Sequence, residues 1–277
     1  MTLHLSPVIR LPRMSVAQDV CAAGERVVPE ETPVALTYNG STHAVMMASP
    51  SDLEDFALGF SLSEGIVSDP ADLKSMEIAE HDLGCEIRMW LSDRCSGSYQ
   101  TRRRALAGPV GCGLCGVESL AEATRPVKPV AGSLRLQPGA IKAAMADLSE
   151  AQRLNREARA IHAAAFWRPN EGVVAIREDV GRHNALDKLA GALASASEPC
   201  SDGIVLLTSR VSVEMVQKTG RMGVSILVAI SAPTALAVRV AESCGITLVA
   251  IARGDAFEVF THPDRIAFEH PEGTKRR

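Results

Sequence analysis

The sequence predicts an α/β protein, with a mixed α+β N-terminal part and a C-terminal part built on a mostly parallel sheet. Three observations predict it. Short apolar runs alternate with helical segments from about residue 173 to residue 252. Asn39-Gly40 sits between two β-rich runs, a strong hairpin signal. Pro126 and Pro129 mark a linker between the two patterns. The expected division is an extension over 1–30, a small α+β domain over 31–125 and an α/β domain over 126–277.

In chain order, residues 1–30 read as irregular and extended. Pro33–Tyr38 and Ser41–Met47 form the strands of the hairpin. Ser51-Asp52-Leu53-Glu54 reads as a capping box that starts a helix. Leu53, Phe56, Ala57 and Phe60 then recur at helical spacing, and Gly65 ends the run. Ser75–Glu80 and Cys85–Leu91 read as strands. Helices follow near 138–148 and 149–160. Strands are then expected at Val173–Arg177, Ile204–Thr208, Val224–Ile230 and Ile246–Ala252. Helices between them end near Ala194, Thr219 and Gly245.

Composition sets bounds on function. The chain has 277 residues, 46% hydrophobic and 22% charged, ordinary values for a globular protein. A net charge of -4 gives no reason to expect nucleic-acid binding. No apolar run approaches the ~20 residues of a membrane-spanning helix. Met1–Met14 lacks the apolar core of a secretion signal. Seven cysteines, of which only Cys112 and Cys115 are closely spaced, favour free thiols in a reducing cytoplasm.

Ligands of a parallel α/β sheet bind beyond the carboxyl ends of its strands. The loops expected there carry Arg177, Arg182, His183, Arg210 and Arg253. The loops bearing the first four lead into helix N-termini, which attract anions. That pattern suits a phosphate-bearing ligand such as a nucleotide. No Walker A sequence and no Gly-x-Gly-x-x-Gly after a strand is present. His162, in a stretch of small residues, reads as a packed histidine or a site residue at a sheet edge.

The other distinctive segment is Gly111-Cys112-Gly113-Leu114-Cys115-Gly116, preceded by Arg102-Arg103-Arg104. Glycine leaves the sulfurs unshielded, and nearby positive charge lowers a thiol pKa. Four readings stay open on the residues alone. Half of a zinc site lacks a second ligand pair. A thioredoxin-like redox pair normally opens a helix, which the glycines oppose. A persulfide carrier fits a mobile thiolate beside a basic cluster. A chance surface pair is the fourth.

These residues together resemble the FdhD family of formate dehydrogenase accessory sulfurtransferases. The resemblance runs from about Pro33 to Ile266. It includes Pro33–Gly40, Met46–Pro50, Asp55–Gly65, Arg102–Gly108, Gly111–Gly116, His162–Ala165, Glu178–His183, Ala185–Leu189, Glu214–Lys218 and Thr261–Pro263. It implies a protein that takes sulfur from a cysteine desulfurase as a cysteine persulfide. The sulfur then passes to the bis-molybdopterin guanine dinucleotide form of the molybdenum cofactor, before that cofactor enters formate dehydrogenase. The family's persulfide-bearing cysteine maps to Cys112, and Cys115 maps to its assistant. The cofactor-contacting stretch maps to Ile251, Ala252, Arg253, Gly254, Asp255 and Ala256. The resemblance also implies a homodimer and a cytidine deaminase-like C-terminal fold.

Deaminase chemistry itself is not expected. A zinc deaminase needs His-x-Glu and Pro-Cys-x-x-Cys. His162-Ala163-Ala164 lacks the glutamate, and Pro199-Cys200-Ser201-Asp202 lacks the second cysteine, so no zinc is expected. The competing class is a binding module, a chaperone that holds the cofactor or the apo-dehydrogenase without moving sulfur.

Overall fold

A computed structural model describes residues 6–97, 99 and 127–268. The helices are α1 (Leu53–Ser63), α2 (Pro138–Ala151), α3 (Arg153–Ala158), α4 (Arg182–Ser195), α5 (Val213–Arg221) and α6 (Ala235–Cys244). Two compact units share the chain. The first takes 1–128, 154–162 and 177–198; the second takes 129–153, 163–176 and 199–277. Residues 154–162 and 177–198, C-terminal in the linear division, therefore group with the first unit.

The first unit opens with a hairpin where an irregular extension was expected. Strands β1 (Val8–Ala17) and β2 (Val20–Pro29) pair antiparallel over their whole length, from Val8↔Pro29 to Ala17↔Val20. Gln18 and Asp19 make the turn, both at positive φ (47° and 64°). A two-residue turn of that hand suits the strand twist. Its sequence lacks the usual glycine, and neither strand has a buried face to impose alternation.

Next come β3 (Thr32–Tyr38) and β4 (Ser41–Ala48), joined through Asn39 and Gly40 at φ 49° and 76°, as the Asn-Gly signal requires. With β5 (Leu73–His81) and β6 (Gly84–Leu91) they form a sheet of order β4-β3-β6-β5, in which β3 and β6 run parallel. One face buries Val34, Leu36, Tyr38, Ile87 and Met89 against Phe56 and Phe60 of α1. Burial of each such side chain contributes about 1.5–3 kcal/mol.

The expected capping box does not form. Asp52 holds the N-cap position in a left-handed conformation, φ 52°, and no side chain caps the helix. The chain is pinned just upstream at Ser49, as described below, so the helix begins from a strained turn.

Helix α4 packs on α1 with glycine at the crossing. A Cβ on Gly59 would stand 1.7 Å from the Asp187 backbone oxygen, and one on Gly191 would stand 1.9 Å from that of Asp55. The two backbones touch, and nothing larger than hydrogen fits between them.

The second unit is built on a six-stranded sheet of order β12-β11-β10-β9-β7-β8. Strands β9 (Ile204–Leu207), β10 (Ile226–Ala229) and β11 (Thr247–Arg253) run parallel, as the β-α-β pattern predicts. The expectation of a mostly parallel sheet is nevertheless corrected to a mixed one. Strand β7 (His162–Arg168) is antiparallel to β9, and β12 (Ala256–Val259) is antiparallel to β11. Strand β8 (Gly172–Asp179) lies outside β7, and its last residues count with the first unit. The alanines of Ala163-Ala164-Ala165 hid β7 because alanine carries little strand preference. All three are buried. In this unit Ile141, Ala144 and Leu148 of α2 pack on Leu206, Ile226, Val228 and Val249 of the sheet.

Candidate functional site

The second unit joins its strand-end loops to one another. Because β9, β10 and β11 are parallel, the loops after them emerge on one edge. Val211 donates to the Ala232 carbonyl at 3.3 Å, and Thr234 donates to the Val211 carbonyl at 2.9 Å, which links the first two loops. The Ile251 amide reaches the Ser231 carbonyl, and Arg253 Nε donates to the Ile230 carbonyl at 3.0 Å, which links the second and third. Arg210 and Arg253 are both exposed on this edge. Ser212, at the start of α5, has a buried Oγ with no hydrogen-bond partner among the described residues.

Ile251 holds φ 53°, followed by Gly254 at 55°. A β-branched residue in the left-handed region is a genuine outlier, costing on the order of 1–3 kcal/mol. The outlier falls at the register break between Ala250 and Arg253 in the β11–β12 pairing. The bulge takes residues 251 and 252 out of the ladder, which resumes at Arg253↔Ala256, and Ile251, Arg253, Gly254, Asp255 and Ala256 are exposed while Ala252 stays buried. The edge thus exposes the side chains of Arg210 and Arg253.

In the first unit, the Glu178–His183 segment is mostly committed to structure. Asp179 is fully buried. It accepts from the amides of Ser49 at 2.9 Å and Gly181 at 2.7 Å, and from Asn184 Nδ2 at 2.9 Å. It also pairs with the fully buried Lys188 at 2.6 Å. Lys188 Nζ donates on to the Ser49 carbonyl, and the Val180 amide donates to Ser49 Oγ. Glu178 accepts from the amides of Leu154 and Asn155, both at 2.8 Å, and so caps α3. Arg177 is paired with Asp55 at 2.6 Å and with Asp52 at 3.6 Å. It therefore joins none of the strand-end cations.

Arg182 and His183 open α4, which has no side-chain cap. The Arg182 Nε is buried without a hydrogen-bond partner among the described residues. His162 lies close enough to feel it. Burial lowers the His162 pKa, the Arg182 charge lowers it further, and Asp179 opposes both. His162 is thereby held towards its neutral form.

Sequence reasoning missed Asp179, Lys188 and Ser49 as one lock. The available signal was a lysine nine residues after an aspartate, in a helix otherwise buried. Cys112 and Cys115 lie outside the described residues, as does Arg102-Arg103-Arg104. Of the remaining cysteines, Cys85, Cys95 and Cys244 are buried. Burial pushes the Cys85 and Cys244 thiols up, the direction that withholds a thiolate. Among the described residues no cluster of His, Cys, Asp or Glu could hold a metal ion, and no helix is long and apolar enough to cross a membrane.

These features define a two-unit α/β protein with a strained, cation-bearing sheet edge. The chain belongs to the FdhD/NarQ family, whose model matches residues 29–267. It is 54% identical over 259 residues to the sulfur carrier protein FdhD of Agrobacterium fabrum, covering 93% of this chain and 95% of that one. It is 51% identical over 242 residues to the protein of the same name from Cupriavidus necator, covering 87% and 84%. A crystal structure of a protein assigned as a formate dehydrogenase accessory protein from Desulfotalea psychrophila shares the fold. Its TM-score is 0.75 at 24% identity, covering 94% of this chain and 99% of that one.

Proposed function

We propose that this protein is a sulfur carrier whose working thiol is Cys112. One observation carries the reading: the FdhD/NarQ family match over residues 29–267 spans Cys112-Gly113-Leu114-Cys115, and a relative named a sulfur carrier is 54% identical over 259 residues. The Cys112 thiolate attacks the outer sulfur of a persulfide on a cysteine desulfurase. The bond from that sulfur to the desulfurase cysteine breaks, and the desulfurase leaves as a thiolate. Sulfur changes hands without change of oxidation level.

The acceptor is the molybdenum cofactor in its bis-molybdopterin guanine dinucleotide form, before its insertion into formate dehydrogenase. Releasing the outer sulfur as sulfide takes two electrons. Cys115 supplies them by attacking Cys112 Sγ, which leaves a Cys112–Cys115 disulfide that a cellular thiol reductant reopens. Arg210, Arg253 and the main chain of residues 251–256 receive the anionic dinucleotide. The strain at Ile251 supports this reading, because strained backbone clusters at ligand sites. The protein works in the cytoplasm as a homodimer, with a cytidine deaminase-like C-terminal part that carries no deaminase chemistry.

The test is direct. After incubation with a desulfurase and cysteine, the Cys112 peptide gains about 32 Da, one sulfur atom. Cys112→Ala abolishes both that gain and formate dehydrogenase activity in cells. Full activity with Cys112→Ala returns the protein to the chaperone class.

A further inference from the structure

We propose that Asp255 is the specificity-determining residue of the strand-end edge: its carboxylate accepts hydrogen bonds from the N1–H and 2-amino groups of guanine, and so seats the guanine end of the dinucleotide at the β11–β12 turn. Asp255 plays this part only if the edge receives the dinucleotide, so the assignment rests on the proposed function and adds to it which end of the ligand lies where. All the residues concerned belong to the second unit.

The three joined loops, 208–212, 230–234 and 251–256, carry two arginines and one acid, Asp255. In an edge that takes an anion, a carboxylate is a like charge against every phosphate, and by itself it weakens binding. Its presence fits a ligand with two unlike ends. Phosphates face the arginines, and an end that donates N–H groups faces Asp255.

The carboxylate is not spent on the fold. Asp255 is exposed, and its side chain makes no hydrogen bond or ion pair among the described residues. Arg253 stands two residues before it, yet turns its Nε to the Ile230 carbonyl at 3.0 Å. Asp52 and Asp55, by contrast, are both committed to Arg177.

The turn that carries Asp255 is held. The ladder resumes at Arg253↔Ala256, so Gly254 and Asp255 form the two-residue turn between the strands. Gly254 takes φ 55°, which glycine adopts without strain. Arg253 is tied to Ile230 and the Ile251 amide to Ser231, so the approach to the turn is fixed on the neighbouring loop. A carboxylate on a held turn supplies direction as well as charge.

Chemistry then selects the base. A carboxylate offers only acceptors, on two adjacent oxygens. Guanine offers two adjacent donors, N1–H and the 2-amino group. Hypoxanthine offers one of them, and adenine offers an acceptor at N1. Hydrogen bonds to a charged group are the strong ones, and an acceptor that meets the carboxylate is left unpaired.

Calorimetric titration of the full-length chain with guanosine, inosine and adenosine diphosphates tests this, with Asp255→Asn, Asp255→Ala and Arg253→Ala alongside. The wild type binds guanosine diphosphate at least ~10-fold more tightly than the inosine compound and ~100-fold more tightly than the adenosine compound. Both Asp255 variants lose about 10- to 100-fold for guanosine diphosphate and nothing for adenosine diphosphate. Asp255→Asn gains xanthosine diphosphate, whose 2-oxo group accepts from the new amide. Cofactor released from a molybdoenzyme that carries the guanine dinucleotide displaces the bound nucleotide. Variants that bind every nucleotide more tightly overturn the proposal, because Asp255 is then only a repulsive charge. An unchanged guanosine-to-adenosine ratio overturns it too, as does guanosine binding that is lost on chelating magnesium, since Asp255 then holds a metal. In these cases Arg253→Ala still weakens binding, and the edge itself stands as the ligand site. Guanosine diphosphate that binds wild type and Arg253→Ala alike, that does not bind, or that the cofactor does not displace overturns the dinucleotide edge and the Asp255 assignment together.

Discussion

At the scale of single residues, the Glu178–His183 segment shows why a motif and a site are different things. Its match to the family pattern does not by itself give its two acids a ligand. Folded, Asp179 has its lone pairs filled by three donors and Lys188, and Glu178 caps a helix. Taking one member from a buried ion pair strands the other, which costs about 3–5 kcal/mol. Lys188→Met is therefore expected to lose roughly that much stability, read as a lowered denaturation midpoint in urea. A loss below about 1 kcal/mol would show that the lock contributes little. Arg182 Nε and Ser212 Oγ, by contrast, are buried with no hydrogen-bond partner among the described residues.

At the scale of elements, local sequence was a good guide wherever local chemistry decides. Asn39-Gly40 specified its turn, Gly65 and Gly245 end their helices at positive φ, and the apolar spacing of α1 matches its buried face. The misses were elements decided by their neighbours. Strand β7 is a strand because β9 offers it a ladder, and Ala163 and Ala165 pack in the same core cluster as Trp167. The β1–β2 ribbon has no buried face to write a pattern. Glycine in the middle of α1 and α4 reads as helix weakness, yet it permits backbone contact at the crossing. Gly59→Ala is expected to force the helices apart and cost about 3 kcal/mol, measured by thermal or chemical unfolding. An unchanged midpoint would mean that the crossing relaxes freely.

At the scale of the whole molecule, chain order and compactness disagree. The chain leaves the first unit near residue 128 and returns to it twice, over 154–162 and 177–198. The returning segments carry Leu186, Leu189 and Lys188, all buried. A fragment spanning 129–277 would expose them. It is expected to show no cooperative thermal transition, while the full chain melts cooperatively. Cooperative melting of the fragment near the full-length temperature would instead mark it as an autonomous domain.

Residue chemistry along the chain sets the class of secondary structure, the parallel run of β9, β10 and β11, the glycine-flanked cysteine pair and the family. Each of these follows from side-chain chemistry within a few residues, or from many matched motifs in one order. Packing settles which charged residues are spent on ion pairs within the fold and which stand exposed. Arg177 and Arg253 are alike in sequence, both arginines at a strand end. One is held by Asp52 and Asp55, distant in the chain, and the other stands exposed beside a strained isoleucine. The difference is a matter of partners, and partners separated by more than a hundred residues are set by packing, which no local pattern encodes.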